Sequence, residues 1–151
     1  MKFYTLDANA VLAVISEEPG FEIVCDAYQE TYESKARLIM HTINLTEVYA
    51  TIYKREGRKK ASEILETIRT DALIEFRSGP YFSDSPNFDY KTEVRFLEAF
   101  SELRAQYGTH FSDTFVLATN KIYAEDGVIL TSDRGFEKFR QANPNNLVYF
   151  R

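Results

Sequence analysis

Lys2-Phe3-Tyr4-Thr5-Leu6-Asp7-Ala8-Asn9-Ala10-Val11-Leu12 opens the chain as an aromatic-rich run that stops at an acid and passes into small and aliphatic residues. Aromatic and β-branched residues favour a pleated strand, and the segment after Asp7 has helical character. A strand that ends on a carboxylate and turns straight into a helix is the first unit of a parallel α/β sheet. The same grammar returns near the other end, where Val128-Ile129-Leu130-Thr131-Ser132-Asp133 is an aliphatic run closing on hydroxyls and an acid. Between them, strand-like runs at residues 37–41 and 72–76, and a last one at 147–150, alternate with helix-period segments. That alternation predicts an α/β fold on a parallel sheet of about five strands. Helices are expected at Ala8–Ser16 and at residues 21–31, 44–56, 59–70, 91–107 and 112–124. The 91–107 helix carries an apolar stripe of Val94, Leu97, Phe100, Leu103 and Tyr107, and Ser112 suits the N-cap of the last helix. Residues 77–89, with Gly79, Pro80, Ser83, Ser85, Pro86 and Asn87, read as a loop.

The 151 residues suit one domain, residues 1–151, with a core of its own. Hydrophobic residues at 44% and charged residues at 27% are ordinary for a globular protein and argue against disorder. The apolar stretch from Ala10 to Ile15 is too short to span a membrane and has no basic leader, so neither a membrane anchor nor a signal peptide is expected. Cys25 is the single cysteine, which rules out an intrachain disulfide and a Cys-rich zinc site, and the expected compartment is the cytoplasm. A net charge of −5 argues against bulk electrostatic capture of nucleic acid. Lys54, Arg55, Arg58, Lys59 and Lys60 nevertheless crowd together, either as a solvated corner or as a guide for a phosphodiester backbone.

Four acids stand at element boundaries: Asp7, Glu47, Asp113 and Asp133. In a parallel sheet the carboxyl ends of the strands share one rim, where sites collect. Carboxylates drawn together there repel by roughly 4 kcal/mol per pair at about 4 Å and an effective dielectric near 20. A hard divalent cation relieves that repulsion, and carboxylate oxygens suit Mg²⁺ or Mn²⁺. Three of the acids also have a plainer reading. Asp7 can cap a helix, Glu47 can belong to a solvent stripe, and Asp113 can answer a helix dipole. Asn9 and Thr131 add polar atoms beside the acids. His41 and His110 have no partner motif and read as local hydrogen-bonders.

The motifs Leu6-Asp7-Ala8-Asn9-Ala10-Val11-Leu12, Ile43-Asn44-Leu45-Thr46-Glu47-Val48, Ser112-Asp113-Thr114-Phe115-Val116-Leu117-Ala118 and Leu130-Thr131-Ser132-Asp133-Arg134-Gly135-Phe136 resemble, in order and spacing, the four acidic motifs of PIN-domain ribonucleases. At this size the chain is most similar to the VapC-type toxins of toxin–antitoxin modules, from which residues 77–89 depart. The resemblance implies a three-layer α/β/α sandwich and Mg²⁺- or Mn²⁺-dependent endonucleolytic cleavage of RNA. It further implies a cognate antitoxin and a homodimer. It assigns Asp7, Glu47, Asp113 and Asp133 as catalytic metal ligands, with Asn9 and Thr131 shaping the site. A free-standing RNA-processing nuclease and a non-catalytic binding module of the same fold are the rival readings. A haloacid-dehalogenase-type phosphatase is disfavoured because Asn9 stands where a second Asp is required. Tyr81, Phe82 or Phe88 could stack on a base or dock a partner helix.

Overall fold

The computed structural model describes residues 1–81, 84–86 and 88–151. Five strands form one all-parallel sheet: β1 (Lys2–Leu6), β2 (Ala36–His41), β3 (Ile74–Arg77), β4 (Val128–Thr131) and β5 (Leu147–Tyr149), in the order β3-β2-β1-β4-β5. The chain builds outward from β1 to β3, then returns to the other side of β1 for β4 and β5. The point of reversal lies between β1 and β4, where ligand crevices form in open parallel sheets.

One face of the sheet is covered by α1 (Ala8–Ser16), α2 (Phe21–Tyr32), α3 (Ile43–Glu56) and α4 (Arg58–Arg69). They pack on the alternate strand residues Leu6, Leu38, Met40 and Leu130. The other face carries α5 (Tyr90–Tyr107), α6 (Phe111–Tyr123) and α7 (Glu137–Ala142), with Ile129, Leu147 and the fully buried Phe96 and Phe136 between them. The three-layer α/β/α sandwich expected from the sequence is therefore present. Among the described residues no helix is long and apolar enough to cross a membrane.

β1, α1 and β4 fall where expected, and most other elements differ by one residue at one end, as fraying ends and caps produce. The strand expected at 72–76 begins at Ile74, because the Leu73 amide donates to Asp71 Oδ1 at 2.8 Å and folds Ala72 into a turn. The stripe expected on α5 is rotated. Its buried residues are Glu93, Phe96, Ala99 and Leu103, while Leu97 is 51% exposed. Phe96 takes the core position because it stacks on Tyr123 at 5.8 Å and meets Phe115 at 5.9 Å. Two elements lie beyond those expected: a 3₁₀ turn at Arg134–Phe136 and α7 behind it, short pieces anchored by Phe136 and Phe139.

Within the stretch read as a loop, the Tyr81 amide donates to the buried Glu93 carboxylate at 2.6 Å. Phe88 stands edge-on to Tyr90. The stacking role entertained for Phe82 lies outside the described residues.

His41 is buried, its Nδ1 accepting from the Ile43 amide at 3.1 Å and its Nε2 meeting the Gly79 carbonyl. That pattern puts the ring proton on Nε2, and burial lowers the His41 pKa, keeping the ring neutral. It is a strand-end staple, as expected for an isolated histidine.

Gly20 joins α1 to α2 with φ of +87°, and a Cβ there would stand 1.7 Å from the Phe150 carbonyl oxygen. Gly20→Ala is expected to destabilise the protein by about 1–3 kcal/mol, from left-handed strain plus the displaced β5 end. Urea unfolding checks this, and an unchanged midpoint would contradict it.

Candidate metal centre

The floor of the site is the end of β1 and the first turn of α1. Asp7 is 2% exposed and caps α1, its Oδ1 accepting from the Ala8 amide at 2.8 Å. The capping reading is thus correct, but it uses only one of the two oxygens. Oδ2 accepts from Thr131 Oγ1 at 2.8 Å and Asn9 Nδ2 at 3.2 Å. Asn9 Oδ1 accepts in turn from the Ser132 amide at 3.1 Å, which ties the ends of β1 and β4 together.

Asp133 follows β4. Its amide donates to Thr131 Oγ1 at 3.0 Å, and its Oδ1 accepts from the Gly135 amide at 2.8 Å. Thr131 therefore gives its proton to one acid and accepts from the backbone of another. The close approach at Gly135 fits the residue type, since a Cβ there would lie 3.1 Å from Asp133 Oδ1 and 3.5 Å from Asp113 Oδ2.

Asp113 comes from the other side of the sheet, in the first turn of α6, and is 5% exposed. Among the described residues no hydrogen-bond donor meets its carboxylate. Asp7, Asp113 and Asp133 each offer a carboxylate oxygen within 4.8 Å of the others. At that separation each ionised pair repels by about 3 kcal/mol at an effective dielectric near 20.

Glu47 lines the same pocket, of about 200 Å³, from α3, but stands outside the tight trio. Its Oε1 accepts from Ser112 Oγ at 2.9 Å and its Oε2 faces Asn44 Nδ2 at 3.4 Å. Ser112 is the clearest correction. It does not cap α6, which begins at Phe111 behind His110; it reaches across to α3 and fixes Glu47. The signal available in the sequence was its place beside Asp113. Thr51, one turn along α3 from Glu47, also lines the pocket and was not singled out.

Burial is the main force on the acids. It pushes Asp7 up to about 7, aided by the charges of Asp113 and Glu47 and opposed by the bonds from Thr131 and Ala8. Burial likewise raises Asp113 to about 6, with Asp133 and Glu47 adding repulsion. A set of hard oxygen donors, of which Asp7 and Asp113 resist ionisation in their own fold, fits a divalent cation of the Mg²⁺ or Mn²⁺ kind. Stability alone gives no reason to gather three such groups.

The PIN domain family model matches residues 4–141 of this chain. Among solved structures, the chain is similar to VapBC2 from Rickettsia felis bound to a DNA fragment from its promoter, at 17% identity and a TM-score of 0.62 with 97% of each chain covered. It is similar to a toxin–antitoxin complex from Klebsiella pneumoniae at 15% identity and a TM-score of 0.62, covering 98% of each chain. VapBC-1 from nontypeable Haemophilus influenzae aligns at 12% identity and a TM-score of 0.59, again over 98% of each chain. No curated protein matches the sequence. At these identities the structural likeness speaks for the fold, and the family match, spanning most of the chain and all four acids, speaks for descent: the protein belongs to the PIN domain family.

Proposed function

We propose that the protein is a divalent-metal-dependent endoribonuclease, and that it acts as the toxin of a toxin–antitoxin pair. The observation that carries the nuclease reading is the meeting of the Asp7, Asp113 and Asp133 carboxylates within 4.8 Å, with Glu47 on the wall of the same open pocket. Membership of the PIN domain family supports it. The toxin assignment draws on neighbours that were solved as VapBC and toxin–antitoxin complexes.

In this reading Asp7, Asp113 and Asp133 hold Mg²⁺ or Mn²⁺, and Glu47 completes the set directly or through water. When bound, such an ion supplies a nucleophilic water and a counter-charge for the phosphate. The chain's own residues do the arranging. Ala8, Asn9 and Thr131 fix the Asp7 carboxylate, and the Gly135 amide fixes Asp133. Ser112 and Asn44 fix Glu47 on the wall of the pocket, where it can orient a water and take its proton. In-line attack on a phosphodiester would leave a 5′ phosphate and a 3′ hydroxyl. No histidine is required.

Incubating the purified protein with defined RNAs and Mg²⁺ or Mn²⁺, then mapping the ends, tests the proposal. Products with 2′,3′-cyclic phosphates, or cleavage that survives EDTA, would refute it. The partner is tested by co-purification with the product of an adjacent reading frame, and the proposed homodimer by light scattering. Residence in the cytoplasm follows from the same reading and is tested by fractionation.

Ser112→Ala removes the bond to Glu47 while leaving all four acids. It is expected to weaken Mn²⁺ affinity about 10-fold, in the range that outer partners of metal ligands command. Calorimetric titration with Mn²⁺ reads this directly, and unchanged affinity would free Glu47 from any need of Ser112.

A further inference from the structure

The acidic pocket has α1 as its floor, α3 as one wall through Glu47 and Thr51, and the turn after β4 as the other through Asp133. Beyond the pocket the two walls meet again at one carboxylate. Glu18, just past the end of α1, accepts from Arg55 Nη1 through Oε1 at 3.3 Å and from Arg151 Nη1 through Oε2 at 3.0 Å. Arg55 lies one turn past Thr51 on α3. Arg134 directly follows Asp133, donates to the main-chain oxygen of Arg151 at 2.9 Å, and lies 4.0 Å over the Tyr149 ring.

Two guanidiniums from distant parts of the chain thus share one anion, a third holds the main chain of one of them, and the exposure of anion and cations is unequal. The Glu18 side chain is 18% exposed, whereas those of Arg55 and Arg151 are 55% and 42% exposed. The carboxylate lies beneath and the cations face water. Exposed pairs of this kind contribute about 0–1 kcal/mol to stability, too little to explain the convergence. Its product is an arc of forked donors held in place, the geometry that suits phosphate oxygens. Lys54, Arg58, Lys59 and Lys60, by contrast, have no ion-pair partner among the described residues and stay exposed. Glu18 stands beyond the far end of α1, a nine-residue helix capped by Asp7 and about 14 Å long.

We infer that Arg55, Arg134 and Arg151 form a backbone clamp for single-stranded RNA, gripping phosphates a few nucleotides away from the one cleaved. The inference rests on the nuclease reading. It replaces the diffuse basic run of residues 54–60 with a specific path along α1.

The test measures anisotropy of a fluorescein-labelled oligouridine across a NaCl series, with Ca²⁺ held constant so that binding is read without turnover. Arg55→Gln and Arg151→Gln are each expected to make the slope of log affinity against log salt shallower by about 0.7. Arg69→Gln, which removes an exposed arginine paired with Glu66 on α4, should leave the slope alone. Glu18→Gln breaks the same two ion pairs as the arginine variants but leaves both cations, so the salt slope should stay at the wild-type value. If Glu18→Gln makes the slope shallower as the arginine variants do, the cluster is a structural tie and the clamp is wrong. Slopes unchanged in Arg55→Gln and Arg151→Gln, or wild-type protein that does not bind the RNA, would also overturn it. Hydrolysis of bis(p-nitrophenyl) phosphate by wild-type protein with Mn²⁺ involves no flanking nucleotides. Its presence would keep the nuclease reading alive if the clamp fails, and its absence would locate the failure at the acids.

Discussion

Asp113→Asn is expected to cut Mn²⁺-dependent RNA cleavage by roughly 10³-fold, beyond the 10–100-fold typical of outer-shell partners, and at the same time to raise the melting temperature of the metal-free protein. Both effects come from one carboxylate. Asp113 is buried, meets no hydrogen-bond donor among the described residues, and faces Asp133 and Glu47, which together with burial hold its pKa near 6. Asparagine keeps the shape and removes the charge, so the fold loses a repulsion that nothing local offsets. Each kcal/mol regained corresponds to about 2–4 °C in a domain of this size. The proposed metal site, however, exchanges one of its three converging carboxylates for a neutral amide, whose oxygen is a weaker ligand for a hard cation. Cleavage and calorimetric melting of the same purified variant decide the matter. Full activity would remove Asp113 from the site, and a lower melting temperature in EDTA would show that the carboxylate stabilises the empty fold.

The second outcome concerns pH. Asp7 titrates near 7 and Asp113 near 6 in the folded protein, against about 3.8 for an unperturbed aspartate. A raised folded-state pKa means that the native protein keeps protons the unfolded chain has already released. The contribution to stability is therefore whole below about pH 4 and is lost as pH climbs through the folded values. For Asp7 alone the loss corresponds to roughly 4 kcal/mol by pH 8. Melting in EDTA should fall across pH 5 to 8. With saturating Mn²⁺ the slope should flatten or reverse, since the cation takes the place of the protons and binding releases them. An EDTA melting temperature that rises over that interval would contradict the electrostatics of the whole site.

The ends of β1 and β4 were legible because their signals are local. A strand closing on an acid before a helix can be read from six or seven residues, and Asp7, Asn9, Thr131 and Asp133 stand in contact as that reading requires. Asp113 was legible through its place in the first turn of α6. Ser112 was misassigned because a serine before a helix has two uses, capping its own helix or bonding another element, and only the approach of α3 chooses between them. The face of α5 was misjudged by about one residue for a related reason. Leu97 and Phe96 are equally apolar, and the rings of Tyr123 and Phe115 decide which turns inward. The meeting of Arg55 and Arg151 on Glu18, with Arg134 on the Arg151 main chain, carries no sequence signal at all, because it depends on where remote segments are brought together.

The double duty of the Thr131 hydroxyl has a mechanical corollary. Asp7 and Asp133 are bolted to adjoining strands through one oxygen atom and move as a single anvil. Asp113 and Glu47 ride on two helices joined at this rim by the Ser112 bridge and not by any sheet pairing. Under the proposed function, opening of the pocket to an ion would be a motion of the α3–α6 jaw against that anvil, with the Ser112 hydroxyl travelling as part of the jaw.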